Sequence, residues 1–198
     1  MKKTIEGLKE MSIMTSDLLA AQFFSRWDKE RVEFVLRILQ EKPELTVSGC
    51  RTELIDPLDE NGGVRIFASA DDDGTWCEFL LQIKGVSKNG KQARYNFALL
   101  NMEYEAEQAL HTDIPERYLL FVSDLDLFGQ RKAEYKIVTM NEETREVLDD
   151  GTHILYITGT VQEDTPKGRL MHDFHTSDPE KMYYPYMKDE MDIVKLAD

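Results

Sequence analysis

The sequence has few cysteines, no long apolar run and no phosphate-binding glycine loop, and these scarcities exclude several protein classes. Its two cysteines, Cys50 and Cys77, form no CxxC pair, so we expect buried apolar thiols and no disulfide framework. No apolar run approaches the roughly 20 residues that a membrane helix needs. The N-terminus has two lysines but no apolar signal segment, so we expect a cytoplasmic protein with no membrane partner.

Basic residues are also scarce: 24 Lys and Arg face 38 Asp and Glu, which gives a net charge of −14. Neutralisation of phosphates by Lys and Arg supplies most non-specific affinity for nucleic acid, so this balance weighs against tight DNA binding. The segment 79–102 is different, because it has no acidic residue and contains Lys84, Lys88, Lys91 and Arg94. These four are candidate nucleic-acid-binding residues, although a solvated lysine-rich turn has the same composition. We therefore favour a protein partner or self-association, and keep DNA binding through this basic segment as an alternative.

Apolar spacing and turn residues predict one domain over residues 1–198, with a core at about 15–125 and a C-terminal elaboration at about 126–198. Helices are predicted at 17–24, at 29–41 after a cap at Asp28, and at 92–110, with a C-terminal helical tract from Ser177 or Asp178. Strands are predicted at 47–55, 64–70, 76–84, 118–122, 133–140 and 153–160. This order predicts an α/β fold in which helices flank a mixed sheet.

The hairpin at residues 64–84 is the most informative segment of the chain. Two strands flank the acidic run that ends at Gly74. A calcium-loop interpretation of this run fails, because the position of the bidentate Glu falls on Leu80. We interpret the run as a polar hairpin turn.

A series of short sequence motifs extends over nearly the whole chain, and their order forms a pattern. It consists of SDLLAAQFF, LRILQEKPELTV, DDDG, ARYNFALL, ERYLLFVSDLDLFG, AEYKIV, DDGTHILYITG, GRLMHDF and DPEKMYYPYMKDEM, in that order. This pattern resembles the PD-(D/E)XK nuclease family transposases, also called recombination-promoting nucleases. The resemblance implies a restriction-endonuclease-like sheet flanked by helices, with extra C-terminal strands and helices.

The resemblance also implies a magnesium site on the hairpin, made by an Asp on its first strand and a Glu on its second, with a Gln or Lys two residues later to orient water. Counting back from Gly74 places the first acid at Ile66, or at Phe67 if the register shifts by one, and the Glu at Leu80. Gln82 fits the third position. Aliphatic side chains do not coordinate a hard cation, so we expect a degenerate catalytic site with no metal or other cofactor.

Three functions remain open at this point. The first is a catalytically degenerate nuclease/transposase-family protein that acts by binding or protein interaction. The second is an active Mg²⁺-dependent DNA endonuclease that uses a rearranged site of Asp17, Glu78 and Gln82. Against it, Glu78 lies about 7 Å along the strand from Leu80, well beyond the tolerance of an organised site. The third is a regulatory decoy of an active relative.

Two C-terminal clusters are given structural interpretations. His172 and His175 flank Asp173 at helical spacing, but a zinc site needs further clustered ligands. The aromatic and apolar segment 183–194 is expected to pack the last helix or to contact a partner.

Overall fold

The computed structural model describes residues 10–55, 62–103, 114–160 and 163–196. Its helices are α1 (Asp17–Phe24), α2 (Lys29–Gln40), α3 (Gly90–Glu103), α4 (Pro166–His175) and α5 (Pro185–Leu196), with a short 3₁₀ helix at Pro179–Lys181. Its strands are β1 (Thr46–Ile55), β2 (Gly63–Asp72), β3 (Thr75–Ile83), β4 (Glu116–Ser123), β5 (Glu134–Ile137) and β6 (Thr152–Thr158). Within those ranges, no helix has the length and apolarity needed to cross a membrane.

The strands form one six-stranded mixed sheet in the order β1-β2-β3-β4-β6-β5. The first three strands are an antiparallel meander, β4 lies parallel to β3 and to β6, and β5 is an antiparallel edge strand. Parallel neighbours need a crossover, and α3 lies in the connection between β3 and β4. The predicted α/β class with a mixed sheet flanked by helices is therefore confirmed.

Apolar side chains fill both faces of the sheet, because successive residues of a strand point to opposite sides. On one face, the alternate residues Ile66, Phe79 and Leu81 join the core that contains apolar residues of α1, α2, α4 and α5. On the other face, Phe67 and Leu80 join a second core that is covered by α3. Strand β4 is buried on both faces, as its continuous apolar run predicts.

The helix starts follow from local capping chemistry. Asp28 caps α2, as predicted, because its carboxylate accepts a hydrogen bond of 3.0 Å from the Arg31 amide. Ser16 caps α1 in the same way by accepting from the Leu19 amide. The predicted helix at 92–110 begins at Gly90 in α3, and residues 104–110 lie outside the described ranges.

The predicted strand at 133–140 is shorter in the structure. β5 ends at Ile137, and residues 138–148 form an exposed hairpin in which Met140 pairs with Val147. From Thr139 onward the backbone pairs within this hairpin, since the Leu148 amide donates to the Thr139 carbonyl oxygen at 2.9 Å and Met140 lies opposite Val147. The alternation of apolar residues is the same in both settings, and this is why the sequence pattern predicts too long a strand.

The C-terminal helices pack onto the first two helices. Phe174 of α4 meets Phe24 of α1 edge-on, with ring centroids 5.8 Å apart. Glu190 of α5 is buried, pairs with Arg26, and lies 3.1 Å from the Arg31 guanidinium. A buried carboxylate needs such partners, so these pairs fix α5 against the N-terminal helices.

Both cysteines are free thiols, but only Cys77 is buried as predicted, because Cys50 is half-buried on the edge strand β1. Cys77 is fully buried, and burial raises the pKa of its thiol to about 11. The Cys77 thiol therefore remains protonated at neutral pH and behaves as a small apolar side chain.

Gly63 supplies a test of the packing at the start of β2. A Cβ at this position would lie 2.6 Å from the Ile83 carbonyl oxygen and 2.9 Å from the Lys84 carbonyl oxygen. Because backbone oxygens cannot move aside, we expect Gly63→Ala to lower the free energy of unfolding by roughly 1–3 kcal/mol, measured by chemical denaturation. Gly49→Ala is the matched control, since nothing lies within 4 Å of its added Cβ. Equal stability of the two variants would contradict the close approach of β2 to the end of β3.

Candidate functional site

The β2–β3 hairpin is closed by a tight turn that sets its register. Asp73 and Gly74 both have positive φ, 51° and 84°, and the Gly74 amide donates to the Asp71 carboxylate at 3.0 Å. Two successive positive φ values are typical of the two-residue hairpin turns that match strand twist. The acidic run is thus a hairpin turn, as predicted.

The register places the two candidate acid positions of β2 on different faces. Phe67 lies directly opposite Leu80, whereas Ile66 lies opposite Leu81. A shift of one residue reverses the face of a strand side chain, so Ile66 points into the core beneath α1 and α2. Of the two positions that the sequence left open, only Phe67 shares a face with Leu80. The pair Ile66 and Leu80 is not brought together.

An apolar row therefore crosses the sheet at positions where the sequence resemblance predicts metal ligands. Arg51 of β1, Phe67, Leu80 and Leu119 of β4 are neighbours across four strands. Leu80 is fully buried and Phe67 is nearly so. Opposite residues in antiparallel strands have Cβ atoms about 4.5–5.5 Å apart, close enough for two carboxylates to share one ion. Here the two side chains offer no oxygen to a cation.

The Arg51 guanidinium adds a positive charge to this row. Its carbon lies 3.8 Å from the centroid of the Phe67 ring, within the range of a cation–π contact. The guanidinium also lies 3.7 Å from the Glu53 carboxylate, which offsets part of the repulsion that a divalent cation beside Phe67 would meet. The position of Arg51 was not singled out from the sequence, because cross-strand pairing between β1 and β2 cannot be read from either strand alone.

Gln82 is fully buried, and both ends of its side-chain amide form hydrogen bonds within the protein. Its Nε2 donates to the Lys84 and Gly85 carbonyl oxygens, at 3.3 Å and 2.9 Å. Its Oε1 accepts from the Asn96 amide of α3 at 2.8 Å. The side chain therefore joins the end of β3 to the covering helix, and these bonds engage both ends of the amide that would orient a water molecule.

Glu78, one of the fallback acids, is held on the same face of β3. Its carboxylate accepts from the Ser69 hydroxyl at 3.0 Å and from the Trp76 indole at 2.8 Å. The neighbouring position on β4 is Arg117. The carboxylate is nearly buried and is already supplied with donors.

Asp17, the other fallback acid, lies at the opposite end of β3. It begins α1 and forms an ion pair with Lys84, which follows the last residue of the strand. Lys84 is six residues from Glu78, a distance of about 20 Å along an extended strand. Asp17 and Glu78 are not brought together. In the part of the chain that the structure describes, no three His, Cys, Asp or Glu side chains form a metal-binding group.

The four candidate basic residues have different surroundings. Lys84 is mostly buried and paired with Asp17. Lys88, Lys91 and Arg94 are exposed around the start of α3, and they form no ion pair with any residue in the described ranges. Lys88 and Arg94 line a cleft between α3 and the β5–β6 edge, a feature that the sequence does not indicate.

The C-terminal clusters have structural roles. The Asp173 carboxylate is buried and accepts from the Tyr183 and Tyr184 amides at 2.8 Å and 2.9 Å. The Tyr184 ring packs edge-on against Phe34, with centroids 5.1 Å apart. Met187, Met191 and Val194 are buried in the core, so the apolar stripe of α5 packs the protein and is not an exposed partner surface.

A comparison with protein-family models, with curated proteins and with solved structures finds no match to this chain.

Substitution of Gln82 tests whether its side chain has a structural role. Gln82→Leu would leave the Lys84 carbonyl oxygen and the Asn96 amide without this partner, whereas the Gly85 carbonyl oxygen keeps its bond from Gln92, so we expect the free energy of unfolding to fall by roughly 1–3 kcal/mol. Gln130→Leu, at an exposed position, should change it by less than about 0.5 kcal/mol. Chemical denaturation measures both. A Gln82→Leu protein as stable as the wild type would contradict the structural role.

Proposed function

We propose that this chain is a catalytically inactive relative of the PD-(D/E)XK nuclease family transposases, and that it acts by binding a protein partner. The observation that carries the proposal is the Phe67–Leu80 pair, which stands on one sheet face with the Arg51 guanidinium over the Phe67 ring. In an active relative, the resemblance implies an Asp and a Glu at these two places.

The strand arrangement supports the restriction-endonuclease-like assignment. A helix precedes an antiparallel meander of three strands, a helix follows, and the fourth strand lies parallel to the third. This is the helix–β-meander–helix–strand order that the resemblance to PD-(D/E)XK nucleases implies. β5, β6, α4 and α5 then form the C-terminal elaboration.

The chemistry of the metal supports loss of catalysis. Mg²⁺ takes near-octahedral oxygen coordination and needs at least one or two carboxylates from the protein. The paired positions supply none, and the group that lies over the Phe67 ring is the Arg51 guanidinium, which is not a metal ligand. Without the metal, nothing at this face lowers the pKa of an attacking water or polarises a phosphate.

The rearranged nuclease is the weaker proposal. It requires Asp17, Glu78 and Gln82 to converge, yet Asp17 pairs with Lys84 at one end of β3 and Glu78 lies near the other end. The Gln82 amide is bonded to Asn96 and to two backbone carbonyls. A working site would need all three side chains to leave their present partners.

The 138–148 hairpin supports protein binding. Its apolar side chains Val138, Met140, Val147 and Leu148 are each 44–58% exposed. Acidic residues surround them, namely Glu142, Glu143, Glu146 and Asp149. Exposed apolar surface with a polar rim is typical of interaction sites, and the acidic rim favours a partner with a basic rim.

Nuclease assays test the proposal directly. With Mg²⁺ or Mn²⁺, we expect the wild-type protein to leave supercoiled plasmid intact, because no carboxylate pair faces the site. Cleavage that is lost in both Glu78→Ala and Asp17→Ala would establish the rearranged enzyme instead.

Substitutions that restore the two acids test which face of β2 can form a metal site with β3. In an Arg51→Ser background, Phe67→Asp with Leu80→Glu places two acids on one face, and Mn²⁺ should raise the melting temperature. Ile66→Asp with Leu80→Glu is the matched control, since its acids point to opposite faces and Mn²⁺ should have no effect. If Mn²⁺ raised the melting temperature of both triple variants equally, or of neither, the proposed descent from a metal-binding site would be contradicted.

A further inference from the structure

A cleft of about 420 Å³ lies between the start of α3 and the β5–β6 edge of the sheet. This volume falls in the range of small-molecule sites. Its lining comes from α3, from the loop after β4 and from the edge strands, and includes no residue of β1, β2 or β3. The cleft shares no lining residue with the Phe67–Leu80 row, so ligand binding there does not depend on the proposed loss of nuclease activity.

Aromatic side chains form much of the apolar wall. Phe97, Phe128 and Tyr156 line the cleft. Tyr156 is only 5% exposed, stacks on Phe121 of the neighbouring strand with ring centroids 4.8 Å apart, and is met edge-on by Phe128 at 5.2 Å. Phe97 is only half-buried and stacks on no ring of the described residues. A planar ligand ring could therefore pack against preformed aromatic surface.

Two positively charged side chains also line the cleft. Lys88 and Arg94 line it, both are exposed, and neither pairs with an acid in the described ranges. The acidic residue in the lining is Asp150, whose pKa is lowered by a hydrogen bond from the Thr152 hydroxyl. The Thr152 amide also donates to that carboxylate at 3.0 Å. The lining thus has two cations against one carboxylate, in a protein whose net charge is −14.

The backbone of α3 adds to this positive potential. The helix begins at Gly90, which lines the cleft, and its first turn contains no acidic residue. The N-terminus of a helix carries a partial positive charge and attracts anions. Charge and aromatic surface are therefore combined in one cavity.

We infer that this cleft binds the ring–phosphate unit of a nucleotide, with the base packed against the wall of Phe97, Phe128 and Tyr156 and the phosphate at Lys88 and Arg94. The ligand is a free nucleotide or the end of a single strand, since both present the same base and phosphate. Aromatic packing and charge each contribute, so neither phosphate alone nor a nucleoside alone satisfies the site.

Isothermal titration calorimetry with adenosine monophosphate tests the inference. We expect saturable binding to the full-length protein, and weaker binding of inorganic phosphate and of adenosine. Arg94→Gln removes a charged contact, so it should weaken binding about tenfold. Lys91→Gln is the matched control, because Lys91 is an exposed cation of the same helical turn that does not line the cleft, and it should change affinity less than about twofold. Phe97→Leu keeps an apolar side chain but should also weaken binding.

A single-stranded oligodeoxyadenylate distinguishes the two sources of the ligand. Tighter binding of the oligonucleotide than of the mononucleotide indicates a strand end, and equal binding indicates a free nucleotide. The inference is overturned if neither probe binds saturably, if Lys91→Gln and Arg94→Gln weaken binding equally, or if inorganic phosphate binds as tightly as adenosine monophosphate.

Discussion

The pairing of Phe67 with Leu80 is the contact on which the functional account depends. A hairpin turn with two positive φ values sets the register of β2 against β3, and that register selects which β2 side chain faces Leu80. A shift of one residue would place Ile66 there instead. In either register, an apolar side chain meets Leu80, and in the observed one the Arg51 guanidinium covers the ring. The strands that would align two carboxylates thus align the buried apolar pair Phe67 and Leu80, with the Arg51 guanidinium beside it.

The local chemistry of the sequence predicted the elements well. Asp28 as a helix cap, the Asp71–Gly74 turn and the doubly buried β4 follow from capping preference, positive φ and hydrophobic periodicity. Predictions failed where the outcome depended on long-range neighbours. The strand predicted to reach Met140 ends at Ile137, because the following residues pair with 147–148 of their own hairpin and not with β6. For the stripe of α5, the sequence left helix packing and a partner contact open, and the stripe packs into the core that contains α1 and α2.

In the candidate site, too, local sequence predicted some features, and features that depend on distant segments were missed. Sequence reasoning found Leu80 and left Ile66 and Phe67 open, because counting residues cannot fix a register to better than one position. It matched Gln82, by residue type and spacing, to the position that the resemblance gives to water orientation, and in the structure this amide accepts a hydrogen bond from Asn96. Arg51 and the cleft beside Arg94 were missed, because each is made by segments far apart in the chain. Contacts of this kind follow from sheet order, which no local pattern contains.

Direct observation of manganese at the Phe67–Leu80 row is the most decisive measurement. Crystals of the wild-type protein soaked in MnCl₂ would reveal a bound ion by its anomalous scattering. The account predicts no manganese on this face of β2 and β3, because the row offers no oxygen ligand and the Arg51 guanidinium is not a metal ligand. A manganese ion held by two carboxylates beside Gln82 would contradict it.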